Sequence, residues 1–347
     1  MKGRYIINTM KRNDYRKGIT LILTCSKKRL LPFFFESLRK MDLPRENMHL
    51  LVYDNTNDPA YLEKLRDEID EFLCLKCRQF KSIRLYKSYL KPKASLTGSE
   101  NELFTASKLW NIWNMWKKIY QMIYTETFFQ LEDDTIAPPD TFKRLYKLLM
   151  TDPKVGFVTA IETGRNALPY SAVRLGVHKV IMRKGKLLKR ESFDPDTKGV
   201  QKIDAAGVYC FVARTKAYRS GFIDYEAPAN AFSLFAMDNV LTYNMKKHGW
   251  KLLADFNCWC GHMQISMGRI CIFGKEQSLQ YVDLYLPKYN TYAIRIEIKK
   301  HDQPYRTYRV KKPATCFNLH HDEDDGAGNE IKEIKKQIKK EKVKFLK

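Results

Sequence analysis

Acidic residues and long apolar runs are both scarce in this sequence. Lys and Arg number 62 against 39 Asp and Glu, which gives a formal net charge of +23 at pH 7. No segment approaches the roughly 18 consecutive apolar residues of a membrane-spanning helix, and the first residues lack the apolar stretch of a signal peptide. We therefore expect a cytoplasmic protein with phosphate-rich partners: nucleotides, nucleic acid or an anionic membrane surface.

Cysteine pairs with zinc-finger spacing are also missing. Among eight cysteines, Cys74 and Cys77 form the one C-x-x-C, and Cys258 and Cys260 form a C-x-C. Thiolates that converge in the fold would still hold zinc, and the alternative is the reduced thiols of a cytosolic protein. With 44% hydrophobic and 13% aromatic residues, the chain of 347 residues can build one large α/β domain or two smaller ones.

Apolar runs of strand length alternate with helix-like segments in the first third of the chain. The runs at 19–24, 49–53 and 83–86 predict strands, and the spacing at 30–41 and 60–73 predicts helices. This order predicts an α/β fold with a mostly parallel sheet and right-handed crossovers. A further helix is expected over residues 102–123, with aromatic side chains that belong to the core: Trp110, Trp113, Trp116 and Tyr120.

Polar clusters follow three of the predicted strands. The apolar run 128–131 ends at Glu132, Asp133 and Asp134, while Thr24 and Asp54 end the first two strands. Because ligands bind beyond the carboxyl ends of strands in open α/β sheets, we expect these clusters at one edge. Clustered carboxylates there suit a hard divalent cation. The alternative is a solvated acidic turn before the next helix.

The second half predicts strands at 155–161, 207–214 and 251–257 and helices at 142–149 and 235–248. Residues 177–183 and 186–191 flank Lys184-Gly185 as a hairpin, which is either solvated or a surface for an anionic acceptor. Its basic residues are Arg174, Lys179, Arg183, Lys184, Lys186, Lys189 and Arg190.

The C-terminal part predicts a hairpin of strands 292–298 and 305–310, followed by an acidic linker and a Lys-rich tail. The tail is either a basic amphipathic helix, which would hold the protein peripherally at an anionic membrane or bind a partner, or a solvated segment. We divide the chain into a basic leader (1–17), a main domain (18–315, with the hairpin extension at 276–315) and the linker and tail (316–347).

Several short segments occur in an order that is typical of one enzyme family. They are residues 23–29, residues 53–58, Asn111, Glu132-Asp133-Asp134, Ala206-Gly207 with Arg214, Met237-Asp238, Gly249-Trp250 and His262. Together they resemble, over about residues 18–265, the family 2 type of glycosyltransferases with the GT-A fold, a Rossmann-like central sheet flanked by helices. Glu132-Asp133-Asp134 is similar to the D-x-D motif of that family.

The resemblance implies a metal-dependent enzyme that moves one sugar from a nucleotide sugar, most readily a UDP-sugar, to an acceptor hydroxyl with inversion. Residues 18–130 would be the nucleotide-binding half and 131–275 the metal and acceptor half. Asp238 would be the catalytic base. Mn²⁺ or Mg²⁺ would be held by Glu132, Asp134 and His262. The nucleotide-sugar contacts would come from Thr24, Ser26, Arg29, Asp54, Asn111, Glu132 and Asp133.

Two positions depart from the family pattern. Met237 stands where an acid usually precedes the base, and Glu132 is longer than the usual Asp. The Gln-x-x-Arg-Trp motif of processive synthases is absent, which favours a single transfer. The acceptor could be anionic: modified DNA, or a glycan or lipid at a membrane surface.

Two other functions remain open. One is a nucleic-acid-directed protein on the same scaffold, either a glycosyltransferase for modified DNA bases or a non-catalytic binder. The other is a nucleotidyltransferase, which is disfavoured because residues 24–30 contain no glycine for a triphosphate loop.

Overall fold

The computed structural model describes residues 18–25, 30–54, 59–74, 80–87, 113–162, 175–183, 186–222, 237–266 and 269–297. Strands β1 to β16 are Ile19–Cys25, Met48–Asp54, Ser82–Lys87, Thr127–Glu132, Thr135–Ile136, Val155–Ile161, Val177–Arg183, Lys186–Ser192, Val200–Ile203, Ala205–Ala206, Cys210–Arg214, Lys251–Trp259, Gly261–Ser266, Arg269–Gly274, Tyr285–Leu286 and Thr291–Glu297. Helices α1 to α7 are Leu31–Lys40, Pro59–Cys74, 113–121, Thr141–Leu149, Thr215–Ser220, Met237–Lys247 and Glu276–Leu279. Arg45–Asn47 and Pro287–Tyr289 are short 3₁₀ helices.

A large mixed sheet organises the fold. Within the described residues it has eight strands in the order β3-β2-β1-β4-β11-β6-β12-β9. Strands β3, β2, β1 and β4 are mutually parallel, whereas β11 is antiparallel to both β4 and β6. Because β11 reverses direction between them, β4 and β6 run the same way. The carboxyl ends of β1, β2, β4 and β6 therefore share one edge, as the β-α-β order predicts.

Helices cover both faces of this sheet, which explains why its central strands are continuous apolar runs. Every residue of β1, β2 and β6 is buried. On β4, Phe129 packs into the apolar cluster on the side of α1, α2 and α4, whereas Phe128 packs into the cluster on the side of α3, α5 and α6. The period-two alternation of a strand thus divides one apolar run between two cores.

The aromatic residues of α3 confirm the prediction of a core helix where they are described. Trp113 and Trp116 are 3% and 4% exposed and belong to the second apolar cluster, and Tyr120 packs against it. Trp110 and the predicted helical residues 102–112 lie outside the described residues.

Two smaller sheets flank the large one in the described part of the chain. One has the order β10-β7-β8. Its strands β7 and β8 pair antiparallel, which confirms the predicted hairpin. Arg174, Lys184 and Gly185 lie outside the described residues. The other has the order β15-β16-β14-β13-β5. Strand β16 agrees with the predicted strand 292–298, but the predicted partner at 305–310, the leader and the tail lie outside the described residues.

The predicted strand 207–214 is shorter in the structure and begins at Cys210. Residue Gly207 instead makes a close backbone approach, since its N–H donates to the carbonyl oxygen of Gly176 at 2.6 Å.

Five cysteines carry thiols in the apolar interior. Cys25, Cys210, Cys258, Cys260 and Cys271 are buried and are not joined in disulfides. Burial is the main cause that raises the pKa of the Cys210, Cys258 and Cys260 thiols. Within the described residues, no helix is long and apolar enough to span a membrane.

Candidate active site

The carboxyl edge of the large sheet carries the predicted nucleotide-binding residues of the first two strands. Thr24 lies in register with Tyr53 on β2 and with Glu132 on β4. Asp54 ends β2 and is fully buried, and the Thr24 side chain is buried with its hydroxyl donating to the Leu131 carbonyl oxygen at 3.3 Å. Parallel pairing therefore brings these two residues and Glu132 to one edge, as predicted.

The acidic turn after β4 is held by backbone hydrogen bonds to three other segments. The N–H of Glu132 donates to the Tyr209 carbonyl oxygen at 2.9 Å, and the N–H of Asp133 donates to that of Thr24 at 3.1 Å. The N–H of Met263 donates to the Asp134 carbonyl oxygen at 2.7 Å. The turn is thus a fixed part of the sheet edge, unlike a loosely solvated acidic turn.

Asp134 and His262 are brought together by the pairing of β5 with β13, which places His262 in register with Thr135. Asp134 Oδ2 lies 3.4 Å from His262 Nε2, and the two residues are only 1% and 5% exposed. A buried carboxylate beside an imidazole is a donor set that Mn²⁺ accepts.

Within the described residues, no group of three or more His, Cys, Asp or Glu side chains is placed to hold one metal ion. A pair of protein ligands nevertheless fits a cation of the Mg²⁺ or Mn²⁺ type. Such ions often bind through one or two carboxylates and complete their coordination with substrate phosphates and water.

Asp238, the predicted base, lies on a different element from the acidic turn. It lies in the first turn of α6, and its Oδ1 accepts the N–H of Asn239 at 2.8 Å. A methyl group added at Gly207 would lie 3.3 Å from Asp238 Oδ2, so the carboxylate lies beside that glycine. Thr242 fixes this helix to β10, because its hydroxyl oxygen accepts the Ala206 N–H at 2.9 Å.

The ring of Tyr209 lies beneath two glycines next to Asp238. Cβ atoms added at Gly176 and Gly207 would approach this ring to 2.5 Å and 2.8 Å, closer than real contacts allow. The Tyr209 hydroxyl donates to the Ala160 carbonyl oxygen at 3.0 Å. Burial first, and then the charge of Glu162, raise the pKa of this phenol.

Glu162 is a buried carboxylate that the sequence reasoning missed. It directly follows β6 and is 4% exposed, and its Oε1 accepts the Thr135 hydroxyl at 3.2 Å. Its signal was present, since an apolar strand ends on an acid here just as β4 ends on Glu132. The acid was overlooked because it stands alone, without the neighbouring acids that mark the end of β4.

Three predicted site residues, Ser26, Arg29 and Asn111, lie outside the described residues. The others divide into two groups. Thr24, Asp54, Glu132 and Asp133 belong to the carboxyl edge that also carries the Asp134–His262 pair, whereas Asp238 lies with Gly207. The carboxyl ends of the predicted strands located the first group, and the roles of its residues stay a prediction.

Comparison with known proteins gives distant structural matches. No family model matches the sequence, and no curated protein sequence matches it. Among solved structures, the mannosyltransferase PcManGT from Pyrobaculum calidifontis, in complex with GDP-Man and Mn²⁺, is 18% identical with a TM-score of 0.31, over 44% of this chain and 37% of that one. S. aureus TarS (residues 1–349) is 10% identical with a TM-score of 0.38, over 68% and 57%. The chain therefore spans less than two thirds of either structure.

Proposed function

We propose that the protein is a metal-dependent, inverting glycosyltransferase of the GT-A type that transfers one sugar from a nucleotide sugar to an acceptor hydroxyl. The observation that carries the proposal is the buried Asp134–His262 contact of 3.4 Å at the carboxyl edge of the sheet. The same edge carries Thr24 and Asp54, which suits a ligand with a nucleoside at one end and a diphosphate at the other.

The ends of β1 and β2 would bind the nucleoside. Asp54 ends β2 at this edge, where its carboxylate would accept hydrogen bonds from donor groups of the base or ribose. Thr24 lies at the end of the neighbouring strand β1, and its hydroxyl would also contact the nucleoside. In this proposal Ser26, Arg29, Asn111 and Asp133 complete the nucleotide contacts, and UDP is the expected nucleotide.

Asp134 and His262 would hold Mn²⁺ or Mg²⁺, with Glu132 beside them. The cation would supply charge neutralisation for the departing diphosphate. The buried position of the pair strengthens every electrostatic interaction there, because little water screens it.

Asp238 would accept the proton of the acceptor hydroxyl. The hydroxyl is far too weak an acid to ionise alone at pH 7, so a carboxylate must take its proton as it attacks the sugar. The Asn239 N–H donates to Oδ1 of Asp238 at 2.8 Å and helps to orient the carboxylate. In this proposal the hydroxyl attacks opposite the departing diphosphate, so the single displacement inverts the anomeric centre.

The proposal is tested by measuring slow hydrolysis of a panel of nucleotide sugars with Mn²⁺, which needs no knowledge of the acceptor. We expect hydrolysis of one donor class, its loss in Asp134→Ala, and loss of transfer in Asp238→Asn once an acceptor is found. Asp140→Asn is the matched control because that carboxylate is 56% exposed. Full hydrolysis by Asp134→Ala would contradict the assigned role.

A second candidate function comes from the basic residues of the β7–β8 hairpin. Lys179 is exposed on β7, with Glu191 opposite it on β8. The two strands together carry five basic residues and one acid, Glu191; the basic residues are Lys179, Arg183, Lys186, Lys189 and Arg190.

This excess of basic residues favours a nucleic-acid-directed protein, either a transferase that acts on modified DNA bases or a non-catalytic binder. Affinity for duplex DNA that falls steeply with salt, and falls further when Lys179 and Lys189 are replaced by Gln, would support it. DNA affinity without salt dependence would exclude it.

A further inference from the structure

We propose that Glu162 binds a hydroxyl of the transferred sugar and makes the site selective for an uncharged sugar. The inference rests on the proposed glycosyltransferase function and adds a specificity-determining residue to it. Glu162 is connected both to the turn that carries Asp134 and to the glycine segment beside Asp238.

On one side, Glu162 is joined to the metal-binding pair through Thr135. Thr135 directly follows Asp134 and lies in register with His262. Its hydroxyl donates to Glu162 Oε1 at 3.2 Å, so a single residue connects the carboxylate to the turn that carries Asp134.

On the other side, Glu162 is joined to the candidate base through two glycines. The Gly176 N–H donates to the Glu162 carbonyl oxygen at 3.2 Å, and the Gly207 N–H donates to that of Gly176 at 2.6 Å. Gly207 in turn lies beside the carboxylate of Asp238. The chain of contacts therefore runs from the metal pair through Glu162 to the base.

In a glycosyl transfer, the sugar lies between the diphosphate and the attacking hydroxyl. Glu162 contacts the segment of the metal pair through its side chain and the segment next to the base through its backbone carbonyl oxygen, which places it in the corresponding interval. It is 4% exposed, as deeply placed as Asp134 at 1% and His262 at 5%.

The chemistry of a carboxylate sets the kind of sugar that it can bind. An ionised carboxylate accepts hydrogen bonds at about four lone-pair sites, and the Thr135 hydroxyl donates to Oε1 of Glu162. Sugar hydroxyls are donors that match it. A sugar carboxylate or phosphate would place a like charge nearby in a poorly screened environment, which disfavours anionic sugars.

Glu162→Gln is the informative variant, because glutamine keeps an oxygen for the Thr135 hydroxyl and replaces the other acceptor oxygen with an N–H donor. For the donor that the native protein hydrolyses, we expect kcat/KM to fall roughly 10- to 100-fold, the range for one hydrogen bond to a charged group. The affinity for UDP is expected to stay unchanged, since UDP lacks the transferred sugar.

Single-position deoxy donors identify the hydroxyl. For the deoxy donor that lacks this hydroxyl, kcat/KM should already be low with native protein and should not fall further with Glu162→Gln. For the other deoxy donors, kcat/KM should fall in the variant by the same roughly 10- to 100-fold factor. A comparison of UDP-glucose with UDP-glucuronic acid tests the selectivity for uncharged sugars. The ratio of kcat/KM for UDP-glucose to that for UDP-glucuronic acid should be about 10-fold or more smaller in the variant than in native protein.

The control is Asp255→Asn, which removes another buried carboxylate, one that pairs with Arg144 at 2.9 Å. It should lower thermal stability without altering donor preference. If Glu162→Gln leaves kcat/KM and donor preference unchanged, or lowers all donors equally together with the melting temperature, Glu162 only braces the fold and the inference is wrong. If the native protein neither binds nor hydrolyses any nucleotide sugar, the proposed function itself fails.

Discussion

Replacing Gly207 with alanine tests whether the Tyr209 ring and Asp238 form one packed unit. The added methyl group would lie 2.8 Å from two ring carbons of Tyr209 and 3.3 Å from Asp238 Oδ2. Carbon atoms normally rest about 3.5–4.0 Å apart, so roughly an ångström of displacement is needed. Tyr209 has little room to move, because its hydroxyl is bound to Ala160 and Gly176 lies against its ring.

The displacement should therefore reach the segment next to Asp238. Overpacking of this kind costs about 1–3 kcal/mol. With an unfolding entropy of about 2.1 cal/mol/K per residue, a chain of 347 residues should melt about 1–4 °C lower. Because a misplacement of about 1 Å can cost 100-fold in rate, transfer should fall by about that factor, which is far more than the stability loss implies.

The assay compares calorimetric melting with single-turnover transfer or donor hydrolysis. Gly199→Ala is the matched control: its φ of +72° strains an alanine by about 1 kcal/mol, yet nothing lies within 4 Å of the added methyl group. The control should lose stability and keep activity. Native activity in Gly207→Ala would refute the reasoning that this glycine positions the base.

Three further predictions concern stability. Arg144→Met should lower the free energy of unfolding by about 2–4 kcal/mol, because it leaves the buried Asp255 carboxylate without its cation. A urea unfolding curve with the same midpoint as that of the native protein would contradict this. Gly249→Ala should cost about 1 kcal/mol, since Gly249 ends α6 with a φ of +85°, and an unchanged melting temperature would contradict it. Burial first, and then the charges of Lys81 and Arg84, lower the pKa of His49 below its usual 6.5. Stability should therefore fall as pH drops below about 6.5, because the unfolded chain then binds more protons than the folded protein. His49→Gln should show a smaller loss of stability between pH 7.5 and 5.5, and an equal loss in both proteins would contradict this.

Local patterns predicted the elements that carry the site well. Buried parallel strands are continuous apolar runs, so β1, β2 and β4 could be located from sequence, and their shared direction predicted that Thr24, Asp54 and Glu132 meet at one edge. Contacts between distant segments could not be predicted in this way. The insertion of β11 between β4 and β6 depends on pairing across the chain, and β5 and β10 have only two residues each, too few for a period.

The position of Glu162 shows the same limit at the level of one side chain. Its residue type and its place after an apolar strand were visible in the sequence. Its relation to the site depends on the Thr135 hydrogen bond and on the two glycine backbone contacts, which join four separate segments. Such convergence follows from tertiary packing, which no local period encodes.

The most direct test of the central claim is calorimetric titration of UDP into the native protein and into Asp134→Ala, each with Mn²⁺ and with EDTA. The proposed site predicts that native protein binds UDP much more tightly with Mn²⁺ and that Asp134→Ala loses this dependence, while the exposed-carboxylate control Asp140→Asn keeps it. Equal Mn²⁺-dependent binding by native protein and Asp134→Ala would contradict the claim that Asp134 and His262 hold the cation of a nucleotide-sugar site.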